Sequence, residues 1–315
     1  MMLPPSLKRI LIPAHRWLAL AFTPIFLAVL LSGAVLAVKP MLPAEPPAAA
    51  TAHAVAQVLA QIDPEGRATA VSGALGGHGL AVTVPQSEDA GVYSILTGER
   101  IGGLPFDVFA FAKSLHVGLL SDSKLLVEIA AWVMAGLLLV APLLARPRLR
   151  GTVRGAHVLF GWAALPLLLL TPVTAVLMTL HVGRAELPLP RPQHAAPLAQ
   201  AVERAGQDHL RDAFVSARRF KGGSVLVTLQ NATGPTAYMV SDAGVAPMTG
   251  GKGLVSGLHE GTWAGAWSGA LNLAAALALA AMIVTGWWSW LKRRVIAPKP
   301  QPRLLLAPPR GLPAE

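Results

Sequence analysis

Residues 14–24 read "AHRWLALAFTP" and residues 156–166 read "AHVLFGWAALP". The two stretches align histidine on histidine and proline on proline: His15 with His157, and Pro24 with Pro166. Further along each half the correspondence returns, as "SLHVG" at 114–118 and "GLHEG" at 257–261, which matches His116 with His259. The chain is a tandem repeat. Apolar segments have little structural need for histidine, so matched histidines at matched depths point to a symmetric site.

Working outward from the repeat, the composition places the chain in a membrane. Hydrophobic residues make up 53% and charged residues 13% of its 315 residues. Four apolar stretches, 18–38, 125–145, 159–180 and 267–290, are long enough to cross a hydrocarbon core of about 30 Å, which takes roughly 20 helical residues. Surrounded by lipid they must be helices, because a helix satisfies its own backbone. The predicted fold is therefore α-helical, with four transmembrane helices in two pseudo-repeats and two small α+β domains outside the bilayer.

The division that follows is a tail at 1–17, a first span at 18–38, and a first outer domain with an interfacial helix at 39–124. A second span at 125–145, a short loop at 146–158 and a third span at 159–180 come next. A second outer domain at 181–266, a fourth span at 267–290 and a tail at 291–315 complete the chain.

Net charge is +10, but its distribution argues for orientation rather than nucleic-acid binding. Thirteen cations lie in the two tails and the short loop, among them Lys8, Arg9, Arg16, Arg146, Arg154 and Lys292, against one acid, Glu315. The remainder holds thirteen cations and fifteen acids. By the positive-inside rule both termini and the short loop are cytoplasmic. The first span exceeds the apolar core of a signal peptide and carries the first repeat's histidine, so it reads as an uncleaved anchor. Cysteine is absent, which excludes thiolate metal sites and disulfides and leaves histidine as the natural metal ligand.

Each outer domain opens with a Pro/Ala-rich linker and continues with a short helical pattern, Val55, Val58, Leu59 and Ile62 in one, Leu198, Val202 and Ala205 in the other. Strand-like runs follow, "GLAVTVP" with "GVYSILT" and "SVLVTLQ" with "TAYMVSD", the only two tyrosines occupying equivalent strands. At about 75 residues each unit is marginal alone, so packing against its twin or the membrane helices is expected.

"HRWLAL" opening a span that ends "LLSGAVLAV", a helix-then-hairpin outer domain, "LHxG" before the next span and a repeat of the whole resemble the PepSY-associated transmembrane proteins of bacteria. The resemblance runs over about 13–292. It implies a multi-pass protein of the bacterial inner membrane with periplasmic PepSY-like domains, and a link, in some relatives, to iron acquisition through heme-containing reduction of ferric siderophores. Two departures stand out. "HVLFGW" replaces the expected "HRWLG"-like text, and the flavin and nicotinamide reductase module of some relatives has no counterpart, implying a separate cytoplasmic or membrane electron donor.

The residues make their own case for non-covalent heme b, one or two per chain. His15 and His157 begin the first and third spans, while His116 and His259 lie just before the second and fourth. Repeats of the same orientation, related by an axis along the membrane normal, bring equivalent residues to opposite sides of a central cleft. Two opposed imidazoles are what a six-coordinate b-type heme requires. His181, at the end of the third span where the first has Lys39, is a fifth candidate ligand. A lone histidine at a helix end is ordinarily an interfacial polar residue; matched occurrence is what raises these to candidates. His53, His78, His194 and His209 lack partners at ligand spacing and read as surface residues.

Glu128 and Asn272 fall at about the same depth in the second and fourth spans, where either could hydrogen-bond a ligand imidazole or a propionate, or simply join helices. Arg218, Arg219 and Lys221, beside Phe220, form a cluster suited to a carboxylate-bearing ferric chelate, with a solvated strand edge as the plainer explanation. Hydrolytic and nucleotide-binding signatures are missing, and no catalytic residue is identified. Two readings stand: a heme-bearing electron conduit that reduces a periplasmic ferric chelate or siderophore, and a cofactor-free membrane protein whose outer domains bind a peptide, partner protein or ligand in regulation, assembly or transport.

Overall fold

The structure, a computed structural model, describes residues 4–43, 46–147, 151–183, 188–190, 194–220, 222–248 and 253–292. Its first half runs α1 (Pro5–Val38), α2 (Ala52–Ile62), β1 (Ala70–Ala74), β2 (Gly79–Thr83), β3 (Gly91–Ser94), β4 (Arg100–Gly102), α3 (Val108–Gly118) and α4 (Lys124–Leu144). The second half repeats that order as α5 (Val153–Ala163) with α6 (Leu165–Thr179), then α7 (Leu198–Gly206), β5 (Ala213–Arg219), β6 (Val225–Asn231), β7 (Gly234–Ser241), β8 (Gly244–Pro247), α8 (Leu254–Glu260) and α9 (Gly265–Leu291).

Among the described residues three helices, α1, α4 and α9, are long and apolar enough to cross a membrane. The third expected span is not one straight helix: α5 and α6 meet at a bend of 68°, and only together do they make a fourth crossing. The break falls at Ala164, just before Pro166 in the first turn of α6. Proline has no N–H, and its ring would strike the carbonyl four residues back if the helix ran on. Its counterpart Pro24 sits inside the unbroken α1, so the same residue type at the same repeat position has two outcomes. Leu30, Leu138, Leu168, Ala278 and Leu279, drawn from α1, α4, α6 and α9, form the apolar centre where the four crossings meet.

The two expected outer domains prove to be one sheet. Eight antiparallel strands run in the order β4-β3-β2-β1-β5-β6-β7-β8, and the halves join where β1 pairs with β5: Ala70 opposite Arg218, Val71 opposite Ala217, Ser72 opposite Ser216. Alternation along each strand puts Val71, Leu80 and Val82 of one half, and Ala217, Val227, Leu229 and Tyr238 of the other, into a single core with α2 and α7. Pairing the inner edges removes two exposed strand edges and merges two marginal cores into one. His53 of α2 sits 2.8 Å from a carboxylate oxygen of Glu203 on α7, across the same seam.

From the outer edges of the sheet the chain returns to the helices. Asp107 caps α3, its carboxylate accepting from the N–H groups of Phe109 and Ala110 at 2.9 Å. α3 then packs along α1, and α8 packs along α6. These two short helices carry the "LHxG" segments at their C-terminal ends.

Candidate functional site

The repeat brings His116 and His259 together. Their ring centroids are 6.0 Å apart, with 48° between the ring planes. Each ring is tethered by the same construction. His116 Nδ1 lies 2.9 Å from the carbonyl oxygen of Val29 and 3.2 Å from Ser32 Oγ, both on α1. His259 Nδ1 lies 3.2 Å from the carbonyl oxygen of Thr171 and 3.1 Å from Thr174 Oγ1, both on α6. Val29 and Thr171, and Ser32 and Thr174, are equivalent positions of the repeat.

This arrangement decides the tautomer. Ser32 Oγ–H donates to Ala28 O at 2.7 Å, and Thr174 Oγ1–H donates to Leu170 O at 2.7 Å, so each hydroxyl oxygen is left to accept. A carbonyl can only accept. Both Nδ1 atoms therefore carry the proton, and the lone pair resides on Nε2, to which no hydrogen bond runs among the described residues. An imidazole anchored through Nδ1–H with a free Nε2 is the usual form of a metal-ligating histidine.

Close approach at this level depends on small residues. A Cβ on Gly33 would stand 3.0 Å from His116 Cε1, so a larger residue there would press the ring away from α1. Beyond His259, Gly261 takes φ +67° to end α8, and a Cβ there would meet Ser268 O at 3.0 Å and Asn272 Nδ2 at 3.1 Å. Asn272 itself donates to the carbonyls of Leu258 (3.0 Å) and His259 (2.8 Å). It thus holds the backbone that carries the ring rather than the ring. Glu128 pairs with Lys124, one turn earlier on α4, at 3.2 Å.

The second pair lies near the other ends of the helices. His157 Nδ1 donates to Thr285 Oγ1 of α9 at 2.9 Å, and that hydroxyl donates in turn to Ala281 O at 2.8 Å. Nε2 again carries the lone pair. A Cβ on Gly286 would come within 3.3 Å of His157 Cε1. His15 is an electrostatic neighbour of His157, but its buried Nδ1 has no partner. His181 is brought to neither pair: it is exposed in the turn after α6, with φ +59°.

The basic cluster is dispersed. β5 is an interior strand, not an edge, and Arg219 there donates through Nη2 to the carbonyls of Gly66 (2.9 Å) and Ala196 (3.1 Å), tying the two halves of the sheet together. Arg218 lies over the ring of Phe220 at 5.2 Å, and Lys221 is outside the described residues. Arg219 and Phe220 line a cavity of about 310 Å³ with Thr69, Ala195 and Gly223. His209 is half-buried rather than a free surface residue, its ring tilted against Tyr238 at 4.5 Å and its Nδ1 3.2 Å from Asp212.

Ser32, Thr174 and Thr285 are the residues that sequence reading passes over. Their signal was the constant offset: Ser32 and Thr174 follow the span-opening histidines His15 and His157 at the same interval.

Two histidines do not complete a protein-only metal site, and no group of three or more His, Asp or Glu residues gathers among the described residues. A planar macrocycle supplies the remaining ligands itself. A metal–imidazole bond of about 2.0–2.1 Å plus about 1.1 Å from nitrogen to ring centre would separate two opposed axial rings by roughly 6.3 Å. The 6.0 Å between the ring centroids of His116 and His259 is of that size. The family model described as the PepSY-associated TM region matches residues 13–293. Comparison with curated proteins gave no match.

Proposed function

The chain belongs to the PepSY-associated transmembrane family, and from that premise we propose that it is a b-type heme protein passing electrons across the bacterial inner membrane to a periplasmic ferric chelate or siderophore. The observation that carries this reading is the symmetric tethering of His116 and His259, each protonated at Nδ1 and free at Nε2. His15 and His157 make the second candidate ligand pair. Heme supplies the one-electron chemistry, which the side chains of this protein cannot.

The chain's own residues do the rest. Val29 and Thr171 carbonyls and the Ser32 and Thr174 hydroxyls fix the imidazole planes and raise ligand basicity, which stabilises the oxidised iron and lowers its potential. Ser32 and His15 lie roughly 26 Å apart along α1 at 1.5 Å per residue, so the two pairs occupy different depths. With the basic tails cytoplasmic, the His15–His157 pair faces a donor in or on the cytoplasmic side and the His116–His259 pair faces the periplasmic sheet. The cavity beside Arg219 and Phe220 offers one cation and one aromatic face to an anionic chelate.

Spectroscopy of the purified protein tests this directly. A Soret band with sharp α and β bands on reduction, at one or two hemes per chain, is the expected result. A colourless preparation from heme-replete cells overturns it.

A further inference from the structure

Among the described residues, three buried polar atoms without partners fall at one level of the helix bundle: His15 Nδ1, Arg16 Nε and Trp290 Nε1. Helices α1 and α9 pack antiparallel, with Gly269 against Ala37 and Met41, and Ile283 in one apolar cluster with Phe22 and Phe26. Continuing that register carries Trp290 to the level of Arg16 and Trp17. Buried donors without acceptors are rare, because each forfeits its hydration for nothing in return. Three in one layer mark a place built to receive something.

The chemistry of that layer is specific. Arg Nε–H and the indole N–H can only donate, and the guanidinium is always charged. The matching group is an oxyanion. Acids are absent from the surroundings in sequence: α1 and α9 contain no Asp or Glu, so no side chain of those helices supplies the missing acceptor. The Arg16 guanidinium also lies 5.5 Å from the ring of Trp17, which orients its plane. The equivalent position of the second half, at the same level, offers no counterpart: Val158 replaces Arg16, and His157 already has Thr285 as its partner.

We propose that Arg16 and Trp290, beside His15, form an oxyanion clamp specific to this end of the bundle. A carboxylate or phosphate oxygen accepts from Arg16 Nε–H and Trp290 Nε1–H. Two sources carry that chemistry, a propionate of a heme bound between His15 and His157, and the headgroup of an anionic phospholipid. The first rests on the heme reading above; the second does not.

The test uses full-length protein purified with native lipid, as wild type, Arg16→Gln, Arg16→Lys and Trp290→Phe. Heme-to-protein ratio, midpoint potential against pH and bound anionic phospholipid are measured on each. If the oxyanion is a propionate, R16Q shifts one heme to lower potential above the propionate's titration and moves that titration to higher pH. W290F changes that potential in the same direction, R16K restores most of it, and the other heme is unmoved. If the oxyanion is a headgroup, R16Q and W290F lose bound anionic phospholipid and leave every potential in place. Unchanged potentials together with unchanged lipid overturn the clamp. A preparation without heme overturns the heme reading alone, and the lipid measurement then decides the clamp.

Discussion

The imidazole of His116, at the end of a short helix in the first half of the chain, stands 6.0 Å from that of His259, the equivalent residue of the second half. Neither ring touches the other's tether: His116 is held by α1 and His259 by α6. The pair is therefore a junction between the repeats, and each half contributes one complete arm.

That division fixes the outcome of ligand removal. If His116 and His259 hold one heme as proposed, His116→Ala and His259→Ala would each remove one of its two protein ligands, and either variant would lose the absorbance of the same heme. The double variant loses no more than either single one, a non-additivity expected of residues acting as a unit. Pyridine hemochrome analysis of the three variants measures it. Loss of both hemes in a single variant would contradict the pairing.

The tethers offer a finer test. Ser32→Ala and Thr174→Ala each remove the hydroxyl acceptor from a ligand Nδ1–H and leave the carbonyl. Partners of this kind contribute about 10–100-fold in metal affinity. Both variants should therefore release heme faster to an apo-globin acceptor and raise the potential of the same heme. A change in opposite directions would mean that the two arms are not equivalent.

Gly33 sets how closely His116 approaches α1. Gly33→Val would bring methyls where even a Cβ reaches 3.0 Å from the ring. The expected result is loss of the His116–His259 heme, while α1 still inserts. The equivalent position in the second half is already alanine, so Ala175→Gly should leave the spectrum unchanged.

The sheet can be weakened separately from the helices. Phe214 is fully buried in the core shared by both halves. Phe214→Ala should cost the sheet about 3–5 kcal/mol, the usual range for emptying such a site. Leu168→Ala, at the centre of the helix bundle, should cost about 2–5 kcal/mol there. Limited proteolysis of the sheet, followed alongside the heme spectrum, separates the two effects: F214A accelerates cleavage first, and L168A disturbs the spectrum first.

Much of this was legible in the residues. α4 and α9 lie where the apolar runs put them, α2 and α7 where the helical patterns fell, and the matched residues His116 and His259 stand beside each other. The sheet seam was hidden because β5, "AFVSARR", ends in two arginines and reads as an exposed edge; Arg219 instead reaches backbone carbonyls on both sides of the seam through Nη2. The break at Ala164 was hidden because Pro24 and Pro166 look alike, and only packing distinguishes them. Ser32 and Thr174 were hidden for a different reason. A hydroxyl in a membrane helix ordinarily bonds the carbonyl one turn back, and these do so while also accepting from histidine.

The bend between α5 and α6 gives the two halves different tolerance to bilayer thickness. α1 is a rod of about 51 Å, so on that side the levels of His15 and Ser32 are locked at one separation. In the other half, His157 rides on α5 and Thr174 on α6, with the elbow between them. A thinner or thicker membrane is absorbed at the elbow and not in the rod. The strain then appears as a slip of His157 past His15, while the His116–His259 pair keeps its spacing. Lipid chain length thus bears on the spacing at the His15–His157 level and not at the His116–His259 level.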